Sequence, residues 1–520
     1  MITTHIANME KTGLKEEEYK TPKTIARLLI ETWENSGKNR VCAVAVCVSA
    51  SGCYHVHGAL YGNLTTLGNV SKVMFNSHVE PQMGGKKELK AYLLKEDKYS
   101  EKGEEVLYTE GLEKVEHQLW KTLLLLEDYP FRTAKGLEYF YKIKGKIMSY
   151  QEKYIELSKD YRHVGINTLL IKNGKIYTSH EGVKTIGEEE PLDKDTIFRI
   201  ASVSKMFVAL GIMKLYEQGL VDINEDISKY LGYTVRNPHH PEVAITLRML
   251  MTQTSSISDG AHDSLGYDGV NGISDYVKLE DLLVNKDSKY YLDRTFREYV
   301  PGEHFEYSNF GCGILACIIE KLSGVYFSDF IREHILLPLG LDASFKASDI
   351  IKKDKIASLY SYNKATDDFK LNRNKDMFLR YEYRKFPLGD NFRMAAGGLF
   401  ISLNDLGIAC QMFMNHGTYN NVKVFEESTI LFMKQIHWQG VSDEPEYTKK
   451  GLQLQILDGY HKDSIYGHFG SAYGVRSFML FNDEIGMVFI TNGADVRDNA
   501  ERGISDLQHE TIKFMVNYEE

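Results

Sequence analysis

From Met206 to Tyr216 the chain reads Met-Phe-Val-Ala-Leu-Gly-Ile-Met-Lys-Leu-Tyr, apolar on nearly every side. A helix of that kind has almost no face to give to water, so it must run through a core with other elements wrapped around it. Gly219 supplies its stop. At its mouth stands Ser202-Val203-Ser204-Lys205. Serine and lysine three apart on a helix share a face. The helix N-terminus adds backbone donors and partial positive charge where an alkoxide or oxyanion would form. A serine that merely caps a core helix would read the same way. A second Ser-x-x-Lys, Ser361 to Lys364, lies in a polar stretch with no apolar helix behind it.

Two later motifs could complete the chemistry. Tyr307-Ser308-Asn309 follows a turn at Pro301-Gly302 and precedes a helix expected over Gly311 to Leu322, stopped by Gly324. A tyrosine beside a lysine can have its pKa drawn down toward use as a base. His468-Phe469-Gly470-Ser471 comes just before two strand-like runs, Val475 to Phe481 and Ile485 to Thr491. A glycine at 470 lets a substrate lie against a strand edge, and the next amide can donate to its carbonyl oxygen. Upstream, Asn173-Gly174 between Asn167 to Ile171 and Ile176 to Ser179 is the strongest short-range hairpin signal.

The 520 residues suffice for two or more domains with sizeable cores. We divide them into residues 1–120, a helical linker over 121–154, and residues 155–520. A net charge of −10 gives no electrostatic footprint for nucleic acid or an anionic membrane. No apolar run reaches the length of a bilayer span. Met1 to Lys23 lacks the apolar core of a secretory signal, so the expected location is the cytoplasm. The six cysteines show no paired metal spacing and are expected as free thiols. Neither a Walker A loop nor a Rossmann glycine fingerprint occurs.

Residues 155–520 resemble the serine β-lactamase and penicillin-binding-protein family, in its class C-like branch. The resemblance extends through Phe198-Arg199-Ile200-Ala201-Ser202-Val203-Ser204-Lys205, the stretch Leu220 to Leu231, Ile245 to Ser255, Pro338-Leu339-Gly340-Leu341, Ala395 to Leu399 and Gly470 to Gly474. It implies an antiparallel sheet flanked by helices, an all-helical lobe, and a site between them. It also implies Ser202 as an acylated nucleophile, with Lys205 and Tyr307 managing its proton. Asn309 would orient the substrate amide or Lys205, and the amides of Ser202 and Ser471 would form the oxyanion hole beside Gly470. His468 stands where many relatives carry Lys-Thr-Gly, and a mostly uncharged imidazole is a poorer carboxylate anchor. Gln253 and Ser256 replace a His and a Gly common in the family. The expected function is therefore a cofactor-free serine hydrolase for an ester, small amide or D-amino-acid peptide. The alternatives are a DNA-nicking or DNA-binding replication protein carried by the N-terminal segment, and a catalytically idle binding module of the same fold. The sequence leaves oligomeric state open.

In the first segment, His55-Val56-His57 falls on an expected strand, so both imidazoles share one face and could hold a divalent metal. Tyr92 and Lys95 lie three apart on a helical run. These residues resemble rolling-circle replication initiators of the HUH endonuclease type. The resemblance implies a small α+β domain of ferredoxin-like type, a metal at His55 and His57, Tyr92 as a DNA-nicking nucleophile beside Lys95, and single-stranded DNA as partner. Ser49 and Ser51 occupy the region where that family often has an acidic third ligand. Basic and acidic residues balance over residues 1–121, so a degenerate packing domain is the alternative.

Overall fold

The computed structural model describes residues 149–519, apart from 189, 261–264, 272–274, 381–385, 441, 443 and 445–446, together with the backbone of five strands within residues 2–110. The chain divides into two compact units, 1–149 and 150–520.

In the first unit the strands are β1 (Ile2–His5), β2 (Val41–Val48), β3 (Tyr54–Tyr61), β4 (Val79–Glu80) and β5 (Glu105–Glu110). They form one antiparallel sheet in the order β4-β1-β3-β2-β5. His55 and His57 lie on its central strand at alternate positions, and His5 of β1 stands opposite His55. Tyr92, Lys95 and any helices of a ferredoxin-like arrangement lie outside the described residues.

The second unit opens on α1 (Tyr150–Ser158), then β6 (His163–Lys172) and β7 (Lys175–Gly182). The turn between those strands is Asn173-Gly174, with φ of 54° and 72°, as its chemistry requires. The buried helix α2 spans Ser204–Glu217 and α3 spans Asn309–Ser323. Strands β8 (Leu359–Asn363) and β9 (Asp368–Arg373) form a separate hairpin, and α4 (Leu403–Met414) follows. The chain then adds β10 (Trp438–Gln439), β11 (Lys449–Lys450), β12 (Gln455–Leu457), β13 (Ile465–Ala472), β14 (Val475–Phe481), β15 (Ile485–Ala494) and α5 (Asp506–Val516). The main sheet is antiparallel with order β10-β11-β12-β13-β14-β15-β6-β7.

Both faces of this sheet are covered, and the two-residue strand period divides the core accordingly. Met479 and Phe481 of β14, with Val488 and Ile490 of β15, pack toward α2, α3 and α4. Their neighbours Phe478, Leu480, Met487 and Phe489 pack with Tyr154 of α1 and Leu507, Ile512 and Met515 of α5. The unbroken apolar run Phe478 to Phe481 of β14 is thus explained by burial on both sides. Helix α2 lies in the first of these cores, with Met206 to Met213 all buried. Gly211 lets α3 approach: a Cβ there would fall 2.8 Å from Ile319 Cδ1. Gly324 caps α3 with φ of 75°.

The boundary expected at residue 155 lies instead at Tyr150. Tyr150 and Tyr154 are core residues, with hydroxyls hydrogen-bonded to Thr168 and Thr511 at 3.2 and 2.9 Å. Their burial makes this stretch part of the domain rather than of a linker. Among the described residues Cys312, Cys317 and Cys410 are buried free thiols, and no single helix is long and apolar enough to cross a membrane.

Candidate active site

Ser202 sits in a single 3-10 turn, Ala201–Val203, that leads directly into α2. Ala201 takes φ of 51°, a conformation that costs an L-residue about 1–2 kcal/mol. Surrounding contacts hold the turn there. Ser204 Oγ donates to the Ala201 carbonyl at 2.6 Å and accepts from the Leu399 amide at 3.1 Å. The result is a half-exposed serine on a rigid bend.

Lys205, one turn on, is fully buried. Its Nζ lies 3.1 Å from Ser202 Oγ, 2.7 Å from Asn309 Oδ1 and 2.9 Å from the Ala396 carbonyl oxygen. It also lies 4.9 Å from the centroid of the Tyr307 ring. The orientation of Asn309 is fixed from behind, because its Nδ2 donates to Asp259 Oδ2 at 2.7 Å. A carboxylate can only accept, so the amide oxygen must face Lys205. Asp259 also receives the Phe310 amide at 2.8 Å, and Ser308 Oγ caps α3 through the Gly311 amide. Gln253 Oε1 accepts from the Ser308 amide at 3.2 Å. Gln253 and Ser256 both carry positive φ, 61° and 62°, so the loop before Asp259 is turned at those two non-glycine positions.

The other wall is β13. A Cβ at Gly470 would fall 2.7 Å from the Ile200 carbonyl oxygen and 3.2 Å from the Ser202 amide nitrogen. Only glycine allows the strand so close to the serine turn, and Ser471 is the next residue along it. Ser202, Tyr307, Asn309, Gly470 and Ser471 all line one cavity of about 830 Å³.

His468 does not line it. Its ring is fully buried, edge-on to Tyr307 at 6.3 Å between centroids. Nδ1 lies within hydrogen-bond reach of the Phe469 carbonyl, which can only accept, leaving Nε2 as a bare acceptor with no partner among the described residues. Burial drives its pKa well below the ordinary histidine value, and the charges of Lys450 and Lys205 push it the same way. The expectation that His468 faces substrate is therefore corrected. It packs fully buried against the tyrosine, where burial first and the charges of Lys450 and Lys205 next disfavour its charged form.

A model of one protein family, described as Beta-lactamase, matches residues 151–510. The chain belongs to the beta-lactamase family. Among curated relatives, penicillin-binding protein 4* of Bacillus subtilis is 33% identical over 179 residues, covering 34% of this chain and 36% of that protein. The match thus spans about a third of that relative's length. Two solved structures share the fold. EstCE1, described as a hydrolase with promiscuous acyltransferase activity, has a TM-score of 0.54 at 19% identity over 70% of this chain and 97% of that one. The D-amino acid amidase of Ochrobactrum anthropi SV3 with D-phenylalanine has a TM-score of 0.51 at 21% identity, over 69% and 95%.

The fold is the expected antiparallel sheet with a helical lobe. Two contributors to the site escaped sequence analysis. Asp259 is remote from every motif it supports, and only its place in the Ser258-Asp259-Gly260 turn hinted at a fixed carboxylate. The Ala396 carbonyl is a backbone group, for which no side-chain pattern exists.

Proposed function

We propose that Ser202 cleaves an ester or small amide, including D-amino-acid amides or peptides, through an acyl-enzyme. The contact of Lys205 Nζ with Ser202 Oγ carries this reading. Asn309 Oδ1 and the Ala396 carbonyl can only accept, whereas the serine hydroxyl can donate or accept. As an amine, Lys205 donates to the first two and presents its lone pair to the serine proton. Oγ then attacks the substrate carbonyl carbon and the proton moves to Nζ. The amides of Ser202 and Ser471 stabilise the oxyanion. On collapse the leaving alcohol or amine takes a proton through Lys205 or Tyr307. Water, activated by the same pair, then releases the acid. The buried, uncharged His468 and the neighbours described as a hydrolase with acyltransferase activity and a D-amino acid amidase favour this over dedicated β-lactam turnover. The test is a rate comparison on a short-chain aryl ester, a chromogenic cephalosporin and a D-alanyl peptide. We expect ester or amide turnover to exceed cephalosporin turnover by at least about tenfold in kcat/KM, a gap of 1.4 kcal/mol. Faster cephalosporin hydrolysis would reverse that ranking.

For residues 1–120 we propose metal-dependent nicking of single-stranded DNA. The position of His55 and His57 on the central strand, with His5 opposite in register, supports it. Cleavage that requires a divalent metal and is lost in both Tyr92→Phe and His57→Ala is the expected result. Absence of metal-dependent cleavage by the full chain would leave this segment without that role.

A further inference from the structure

Strands β13 and β14 are joined by Tyr473-Gly474, and both residues take positive φ, 53° and 87°. Such a turn ordinarily selects Asn, Asp or Gly at its first position. A tyrosine there carries backbone strain that glycine would avoid. Gly474 has no alternative, since a Cβ would fall 1.7 Å from the Tyr360 carbonyl oxygen of β8. The turn is therefore seated on the β8–β9 hairpin, with Tyr473 carried beside it.

Two guanidinium groups lie against that ring. Arg373, at the end of β9, is 4.3 Å from the centroid, and Arg199, three residues before the nucleophile, is 5.0 Å away. Both belong to the wall of the cavity that holds Ser202. Arg199 Nε donates to the Gly397 carbonyl at 2.8 Å, and Arg373 Nη1 to the Asn372 carbonyl at 2.9 Å. Among the described residues neither is paired with a carboxylate. Two other cations of the wall are paired with carboxylates, Lys346 with Asp329 and Arg476 with Asp498 at 3.0 Å, while a third, Arg393, donates to the Val270 and Asp275 carbonyls at 3.1 and 2.9 Å. Burial lowers the pKa of Arg199, and the like charge of Arg373 adds to that while Tyr473 opposes it. The aromatic face eases the approach of two like charges, yet most of their donors remain for a ligand. Planar guanidinium forks match a carboxylate, and His468 brings no charge to the cavity.

We infer that Arg199 and Arg373, braced by Tyr473, form a carboxylate subsite, so that the preferred substrate carries a carboxylate near its scissile ester or amide bond. This rests on Ser202 acting as the hydrolytic nucleophile. The full chain is assayed on two matched ester pairs. A monoaryl glutarate against the aryl pentanoate places the charge on the acyl half. A 3-acetoxybenzoate against phenyl acetate places it on the leaving half. In one pair the charged ester should be favoured in kcat/KM by about tenfold or more at low salt, with the ratio shrinking as salt rises. Arg373→Gln should lower that ratio about tenfold, and Arg373→Lys should restore part of it. A ratio near one in both pairs, or one unchanged in Arg373→Gln, overturns the subsite. Fluorophosphonate labelling is run on the same samples. Labelled protein without charge preference overturns the subsite and spares the hydrolase, whereas folded protein without label overturns both.

Discussion

Ser202→Ala is expected to abolish turnover and fluorophosphonate labelling together, with kcat falling by about 10⁴-fold or more. Fold stability should scarcely change. The hydroxyl makes one hydrogen bond among the described residues, to Lys205, and Lys205 keeps Asn309 and Ala396 when it is lost. Neighbouring Ser204 cannot substitute, because its hydroxyl is committed to Ala201 and Leu399. Steady-state rates, intact mass after labelling and a thermal melt test this. Residual turnover above about one part in a hundred, a loss of less than ~3 kcal/mol of transition-state stabilisation, would point to another nucleophile.

Lys205→Met keeps the buried volume and removes the proton carrier. We expect kcat to fall about 10³-fold, within the usual range for a lost general base. The stability cost is a separate quantity. Asn309 Oδ1 and the Ala396 carbonyl each lose a donor, and a buried acceptor left unpaired costs about 1–3 kcal/mol. At about 2.1 cal/mol/K of unfolding entropy per residue, a unit of this size converts each kcal/mol into roughly 1.3 °C, so the melting temperature should drop by a few degrees while the protein stays folded at 25 °C. A loss of kcat below about tenfold in folded Lys205→Met would assign the proton to Tyr307 alone.

Local chemistry was the legible part of this chain. Asn173-Gly174 and Gly324 mark a turn and a helix stop because the backbone conformation they need belongs to those residues themselves. Ser202 and Lys205 were legible as a pair because a helix fixes the three-residue spacing. Depth was not legible. Whether the His468 ring meets substrate or lies behind Tyr307 depends on packing between segments remote in sequence. Asp259 reaches the Tyr-Ser-Asn motif only through tertiary packing. The inclusion of Tyr150 and Tyr154 in the domain core likewise depends on α5 at the far end of the chain.

That last arrangement bears on how the protein is made. Strand β6 pairs with β15 along nearly its whole length, and the chain between them comprises almost the entire unit. A ribosome therefore releases one partner long before the other exists. Until β13 to β15 emerge, β6 has no neighbour on that side, and the wall containing Gly470 has not been synthesised. Such distant pairing closes late in folding, and the nascent chain presents an apolar strand edge that other chains can capture. The cavity beside Ser202 is consequently incomplete in every unfinished copy, and closes only when the last strands have joined the sheet.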